Sequence, residues 1–436
     1  KKGFSSDIFL GTALVNMYGK CGRIGEAEHV FIKFSRKDVV LFNAMLAAYV
    51  EQGQGVRALQ LYRQMQEEGV SPHQRTFVTA LQACSLLAET EMEVLVEGSM
   101  KKEIALGIVQ ALHNDVRTKT YDSDIYICNT FINTYGKCWS TTEAENVFSG
   151  MRRVDSISWN AMFSTYVDLR LGERAFHLYQ CMQKEQVGPD DVTFKCILQA
   201  CSETGSLEFC KHVHFHIITL GYDYDPSVAS TLIHGYGSCG SMVNAEATFH
   251  LLSTHDTVSW SAFISSHTGE GNCVASLNMY MMSQFSGVQP NEITFTAVLV
   301  ACSHAGLVME GLHFFNLVTR HDSSGSITLN LKHFSTMVDL LGRAGNFKVL
   351  KNMLEMMPMR ADLTFWLCLL NVCRIHGNVD LGEKAFDHAV SLQPEHPAAY
   401  VFMSNIYVDA GLQECVTELK RSMRMLGFEG VWKELE

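Results

Sequence analysis

Proline is scarce in this 436-residue chain, seven residues in all, and no run approaches the roughly 18 consecutive apolar residues that a membrane-crossing helix needs. Low-complexity tracts are missing, as is any shift in composition that would mark a domain boundary. Among the fourteen cysteines there is no Cys-x-x-Cys pair, which removes the strongest zinc signature. Nor is there a surplus of basic residues. Lys and Arg number 34 against 46 Asp and Glu, a formal charge of −12, whereas the electrostatic footprint of nucleic-acid binders is usually positive. Hydrophobic residues make up 47% of the chain, but they are spread evenly instead of in compact blocks.

What the chain does have is a repeating cassette. Tyr18-Gly19-Lys20-Cys21-Gly22 returns as Tyr135-Gly136-Lys137-Cys138 and as Tyr236-Gly237-Ser238-Cys239-Gly240, at spacings of 117 and then 101 residues. Ala83-Cys84-Ser85, Ala200-Cys201-Ser202 and Ala301-Cys302-Ser303 keep the same beat, as do Pro72, Pro189 and Pro290, while Trp159 and Trp260 are 101 apart. A fixed period signifies an array of structural units.

Asp155, Asp190, Asp225 and Asp256 divide the 101-residue unit into segments of 35, 35 and 31 residues, the size of a helical hairpin. Within Ile8 to Asp38, Leu14, Met17 and Tyr18 share one helical face and Ala27, Val30 and Phe31 another. Gly19 and Gly22 are expected to supply the turn between the two helices, and the prolines to separate one hairpin from the next. One hairpin cannot bury its apolar faces alone, so neighbours must stack into an all-α solenoid of about ten antiparallel pairs.

The cysteines recur at equivalent sites. Cys21, Cys138 and Cys239 fall in the inter-helix turn and Cys84, Cys201 and Cys302 on the following apolar face, so they read as buried structural thiols of a reducing compartment. Residues two apart on a helix point about 200° from each other, so His212, His214 and His216 cannot converge on one ion. His113 lies 101 residues before His214, which favours packing over ligation. No metal, cofactor, small-molecule substrate or membrane partner is assigned.

Hairpins of 35 residues that open on Val39-Val40-Leu41-Phe42-Asn43 or Ser156-Ile157-Ser158-Trp159-Asn160 and close on a Gly-Val-x-Pro pattern resemble pentatricopeptide repeats. The alternation of 31, 35 and 35 residues is similar to the plant-type subclass with short, standard and long repeats. A tetratricopeptide array, with a constant 34-residue period and a tryptophan-leucine-glycine-tyrosine signature, fits less well. The resemblance implies a right-handed superhelix. It places short repeats at 8–38, 125–155 and 226–256, standard ones at 39–73, 156–190 and 257–291, long ones at 74–124, 191–225 and 292–330, and a terminal short repeat at 331–362. The first long repeat carries sixteen extra residues, expected near 89–105 on the solvent side. Residues 1–7 look like the end of a repeat whose beginning is missing, so the chain is expected to be a fragment.

Beyond Asp362 the pattern changes. Phe365-Trp366 through Ile375-His376-Gly377-Asn378-Val379, then Tyr400 through Ser404-Asn405-Ile406-Tyr407 and Ala410-Gly411, resemble the two extension motifs of organellar RNA-editing factors, over 363–396 and 397–430 with a tail at 431–436. That family often continues into a deaminase domain with His-x-Glu and Cys-x-x-Cys, and neither motif occurs here. The resemblance therefore implies no catalysis but recognition of single-stranded RNA in a mitochondrion or chloroplast, with a deaminase recruited in trans through 363–430. An RNA stability or processing factor without an editing role, and a protein-binding scaffold of tetratricopeptide type, are the alternatives.

By that resemblance the fifth and last residues of each repeat read one base through short polar side chains. The pairs are Thr12 with Asp38, Asn43 with His73, Asn129 with Asp155, Asn160 with Asp190, Ser230 with Asp256, Ser261 with Asn291, Thr296 with Asn330 and Ser335 with Asp362. Thr or Ser with Asp implies guanine, Asn with Asp uracil, and Ser with Asn adenine. In the long repeats, Val78 with Asp124 and Lys195 with Asp225 match no base. The implied order from the 5′ end is G, a pyrimidine, an unread base, U, U, an unread base, G, A. Second residues Phe9, Val40, Tyr126, Ile157, Val192 and Val258 would sandwich the bases. Lys20, Lys137 and Arg343, equivalent in three short repeats, would touch phosphates.

Overall fold

Helix starts in this chain are written locally, by side chains that satisfy the free N–H groups of a first turn. Asp38, Asp124, Asp155, Asp190, Asp225, Asp256, Asn291, Asn330 and Asp362 each stand in extended backbone immediately before a helix and accept a hydrogen bond from a backbone N–H two or three residues on. At Asp38, Asp155, Asp190, Asp256 and Asp362 that bond is 2.8 Å long. Each such cap contributes about 1 kcal/mol. The residue that closes one repeat thus also opens the next.

A computed structural model describes residues 8–89, 97–320, 329–357, 361–394 and 396–425. The expected partial repeat at 1–7, the tail at 431–436 and part of the insertion lie outside the described residues. Twenty-four α-helices pair into hairpins, with no strand among the described residues. The first helix of each pair begins at residue 8, 39, 74, 125, 156, 191, 226, 257, 292, 331, 363 or 397, the same positions at which the segmentation by family resemblance starts its repeats and extension motifs.

The chain divides into two units, residues 1–217 and 218–436, each an α-solenoid. In the N-terminal unit the first helices Ile8–Lys20, Val39–Glu51, Gln74–Glu89, Ile125–Lys137, Ser156–Asp168 and Asp191–Thr204 stack side by side, each against the next. In the C-terminal unit Pro226–Ser238, Thr257–Gly269, Glu292–Ala305, Leu331–Arg343, Leu363–His376 and Pro397–Asp409 do the same. The core is the row of apolar side chains between these helices and their partners, with Phe42, Phe77, Phe131, Phe163, Phe194 and Phe365 all buried.

The recurring cassette works differently from the sequence expectation. Gly22 and Gly240 do make the turn, at φ of +71° each. Gly19, however, is the penultimate residue of its helix and is buried against the following first helix: a Cβ there would lie 2.6 Å from the Cβ of Ala48. Its equivalents repeat the contact, Gly136 against Thr165 Oγ1 at 2.7 Å and Gly237 against the Ser266 side chain. These glycines set how closely consecutive repeats approach.

Cys84, Cys201 and Cys302 are buried as expected, and burial pushes the Cys84 and Cys302 thiols up to about 12. The turn cysteines diverge from the expected burial: Cys138 is buried, Cys239 half-buried and Cys21 exposed. His113 hydrogen-bonds Tyr135 Oη at 3.0 Å and packs at a tilt against the Phe131 ring, centroids 4.5 Å apart, which is a packing role. The helix Glu97–Thr118 has 22 residues where its counterpart Leu207–Leu220 has 14. Its buried Val109, Leu112 and Val116 stand 101 residues before the buried Cys210, Val213 and Ile217, so the extra length lies at its N-terminal end. No helix among the described residues is long and apolar enough to cross a membrane.

Candidate nucleic-acid interface

In the standard repeats the last residue, which caps the following first helix, also meets the fifth residue of its own repeat, thirty positions earlier. Asn160 Nδ2 donates to both carboxylate oxygens of Asp190, each at 3.0 Å. Thr193 Oγ1 closes the cluster, 2.7 Å from Asn160 Oδ1 and 2.9 Å from Asp190 Oδ1. Partial burial works to raise the Asp190 pKa, but donors from Thr193 and Asn160 outweigh it and hold the carboxyl below its ordinary value. The same triangle recurs 101 residues on, where Ser261 Oγ lies 3.0 Å from Asn291 Oδ1 and 2.6 Å from Thr294 Oγ1.

At the second repeat Asn43 Nδ2 stands 3.2 Å from His73 Nε2, with the other ring nitrogen 3.1 Å from Thr76 Oγ1. Nδ1 also accepts the Thr76 backbone N–H at 3.4 Å, so the His73 ring takes the capping place that a carboxylate holds elsewhere. The remaining pairs are not joined in this way. Thr12, Ser230, Thr296 and Ser335 each donate the hydroxyl back to a carbonyl of the preceding turn, at Ile8, Pro226, Glu292 and Leu331. Asp38, Asp155, Asp256, Asn330 and Asp362, the last residues of these and the Asn129 repeat, cap the next helix.

Asn43 Oδ1 and Asn129 Oδ1 are buried with no hydrogen-bond partner. An orphan acceptor at two repeat-equivalent fifth positions is a costly arrangement that a ligand N–H would relieve.

One turn earlier on the same helices, large apolar side chains point into solvent. Phe9 is 85% exposed, Tyr126 61% and Ile157 63%, with Val40, Val192 and Val258 exposed as well. Helix-start packing, the ordinary reason for apolar residues there, does not account for them. Ile293 at the second position of the third long repeat is 61% exposed and belongs to the same series. Sequence reasoning passed over it, although it lies 101 residues after Val192.

Comparison with known proteins identifies the family. The PPR repeat family matches residues 37–85 and 154–203, the PPR repeat residues 12–39, 126–155 and 227–255, and the E motif residues 376–431. The chain is a pentatricopeptide repeat protein carrying an E motif. Its relatives in Arabidopsis thaliana include the chloroplastic pentatricopeptide repeat-containing protein CRR2, 32% identical over 99% of this chain and 63% of its own length. The chloroplastic protein DOT4 is 33% identical over 99% of this chain and 47% of its own, and a mitochondrial member 30% identical over 97% and 47%. The chain spans about half to two-thirds of the length of the curated relatives it matches. Among solved structures, maize PPR10 is 16% identical and shares the fold, with a TM-score of 0.58 over 96% of this chain and 64% of that one. PPR10 in complex with an 18-nucleotide psaJ RNA element aligns with a TM-score of 0.51 over 97% of this chain and 74% of that one.

In this pentatricopeptide protein the three cations named as phosphate ligands differ in their surroundings. Lys20 is exposed at the end of its helix. Lys137 lies between two carboxylates, 3.3 Å from Glu89 and 3.0 Å from Asp168. Partial burial works against its charge, but those two anions outweigh burial and raise its pKa. Arg343 pairs with Asp339 on its own helix at 2.9 Å. Thr76, Thr193 and Thr294, which hydrogen-bond to members of the fifth-and-last pairs, went unremarked in the sequence. Their signal was present: they too are spaced by 117 and 101.

Proposed function

We propose that this pentatricopeptide repeat protein binds single-stranded RNA with sequence specificity in a plant organelle and acts as a specificity factor for C-to-U editing, recruiting a deaminase in trans through residues 363–430. The observation that carries the reading is the recurrence of one polar triangle in register, Asn160–Asp190–Thr193 and Ser261–Asn291–Thr294. Each holds two side chains of defined donor and acceptor character beside exposed apolar residues that offer a base flat contact. The RNA complex of PPR10, built on the same fold, supports RNA as the ligand. Chloroplastic and mitochondrial relatives support an organelle, and the E motif over 376–431 supports an editing role over transcript stabilisation alone. We assign the chain recognition and recruitment, and no catalytic step.

The test is selection of bound RNA from a random single-stranded pool by the purified chain. Enrichment of G, U, U, G and A at positions one, four, five, seven and eight supports the reading and sets its register. A folded protein that enriches nothing returns the array to the class of protein-binding scaffolds.

A further inference from the structure

Two cavities open on the first-helix face, of about 500 and 440 Å³, within the range of small-molecule sites. They are the same site built twice. Glu51, Arg75, Val78 and Gln82 line the first, and Gly269, Ile293, Thr296 and Val300, each 218 residues further on, line the second. Both therefore sit where a long repeat packs against the standard repeat before it. At the mouth stands the second residue of the next short repeat, Tyr126 in one and Lys332 in the other.

The intervening long repeat is built differently. At the place of Val78 and Thr296 it carries Lys195, whose ammonium binds Asp191 at 2.8 Å, and Asp191 is the counterpart of the cavity-lining Gln74 and Glu292. There an ion pair stands where the other two repeats carry the uncharged walls Val78 and Thr296.

We propose that the first and third long repeats each take one nucleobase of the bound RNA into these cavities, recognising it by shape and stacking, while the second long repeat does not. The proposal rests on the RNA-binding reading above. The first cavity has the means: the Tyr126 ring and Arg75 guanidinium are planar partners for a base, Ala47, Val50 and Val78 give apolar walls, and Glu51 and Gln82 supply polar ends. The second offers Ile293 and Thr296 as walls and His304 and Asn330 as polar ends. The long repeats, whose Val78 and Lys195 read no base edge, are then not equivalent spacers.

The experiment takes an RNA selected by the full chain and resynthesises it with one abasic site at each position in turn. Removal of the third or ninth base, those facing the first and third long repeats, weakens binding about tenfold, in the range of one lost stacking contact. Removal of the sixth leaves affinity within about twofold. Ala47→Phe, which fills the first cavity from its wall, removes the sensitivity at position three and preserves that at position nine, with helicity checked by circular dichroism. If positions three and nine tolerate base loss as position six does, while position five opposite Asn160 does not, the cavities are empty in the complex and the proposal falls with RNA recognition intact. If no RNA is enriched at all, the reading of the interface falls and this proposal with it.

Discussion

Asn160 and Asp190 meet in one hydrogen-bonded cluster, but they hold different shares of the fold, and that difference can be measured. Asp190 caps the helix Asp191–Thr204 through Thr193 N at 2.8 Å, whereas Asn160 makes no backbone contact in that cap. Asp190→Ala removes the cap, which costs about 1 kcal/mol, and strands the Asn160 amide besides. Asn160→Ala leaves the cap and its Thr193 bonds in place, so global stability should move by no more than about 0.5 kcal/mol. On RNA, Asn160→Ala should reduce discrimination for uracil at one position by about 1–3 kcal/mol, the worth of a good base-edge contact. Urea unfolding of both variants, together with fluorescence anisotropy titrations against four RNAs that differ only at position five, reads both effects. If Asn160→Ala weakens all four RNAs equally, or if the parent shows no preference among them, the side chain does not read a base. Should Asn160→Ala cost as much stability as Asp190→Ala, the cluster is structural.

The other expectations concern packing, protons and salt. Gly237→Ala should destabilise by about 1–2 kcal/mol, because its Cβ would enter Ser266, while Gly107→Ala, in open space within the helix Glu97–Thr118, should stabilise by about 0.5–1 kcal/mol; urea midpoints of the same sign for both variants would sink the close-approach argument. Burial lowers the pKa of His113, His255, His267 and His333 in the folded state, so the unfolded chain binds more protons and stability is lost as pH falls below the ordinary histidine value of about 6.5. A thermal midpoint unchanged between about pH 7.5 and 5 contradicts this. At His333 the geometry acts in the same direction as burial: Asn330 N donates to Nδ1 at 3.1 Å, which a protonated ring cannot accept. RNA affinity should fall with salt with a slope shallower than about −4 in log–log form, given the charge of −12 and the carboxylate partners of Lys137; a steeper slope means phosphate contacts dominate.

Much of this protein was legible in its sequence because its strongest signals are local. The period of 117 and 101, the Asp or Asn at each boundary and the glycine at each turn act within a few residues of themselves. A capping carboxylate reaches only the N–H groups two or three positions ahead, so the helix starts follow from the residues that precede them. The fifth-and-last pairs followed from period and family pattern together. Tertiary structure decided whatever depends on residues from different repeats. Gly19, Gly136 and Gly237 look like turn residues in the sequence, yet they are packing residues, since only the neighbouring helix shows that a Cβ has nowhere to go. Lys137 looks free for a phosphate until Glu89 and Asp168 arrive from other repeats. The two cavities leave no mark in the sequence, because a void is the shape left between helices whose separation is set by every side chain at their contact, and that separation exists only once the array is stacked.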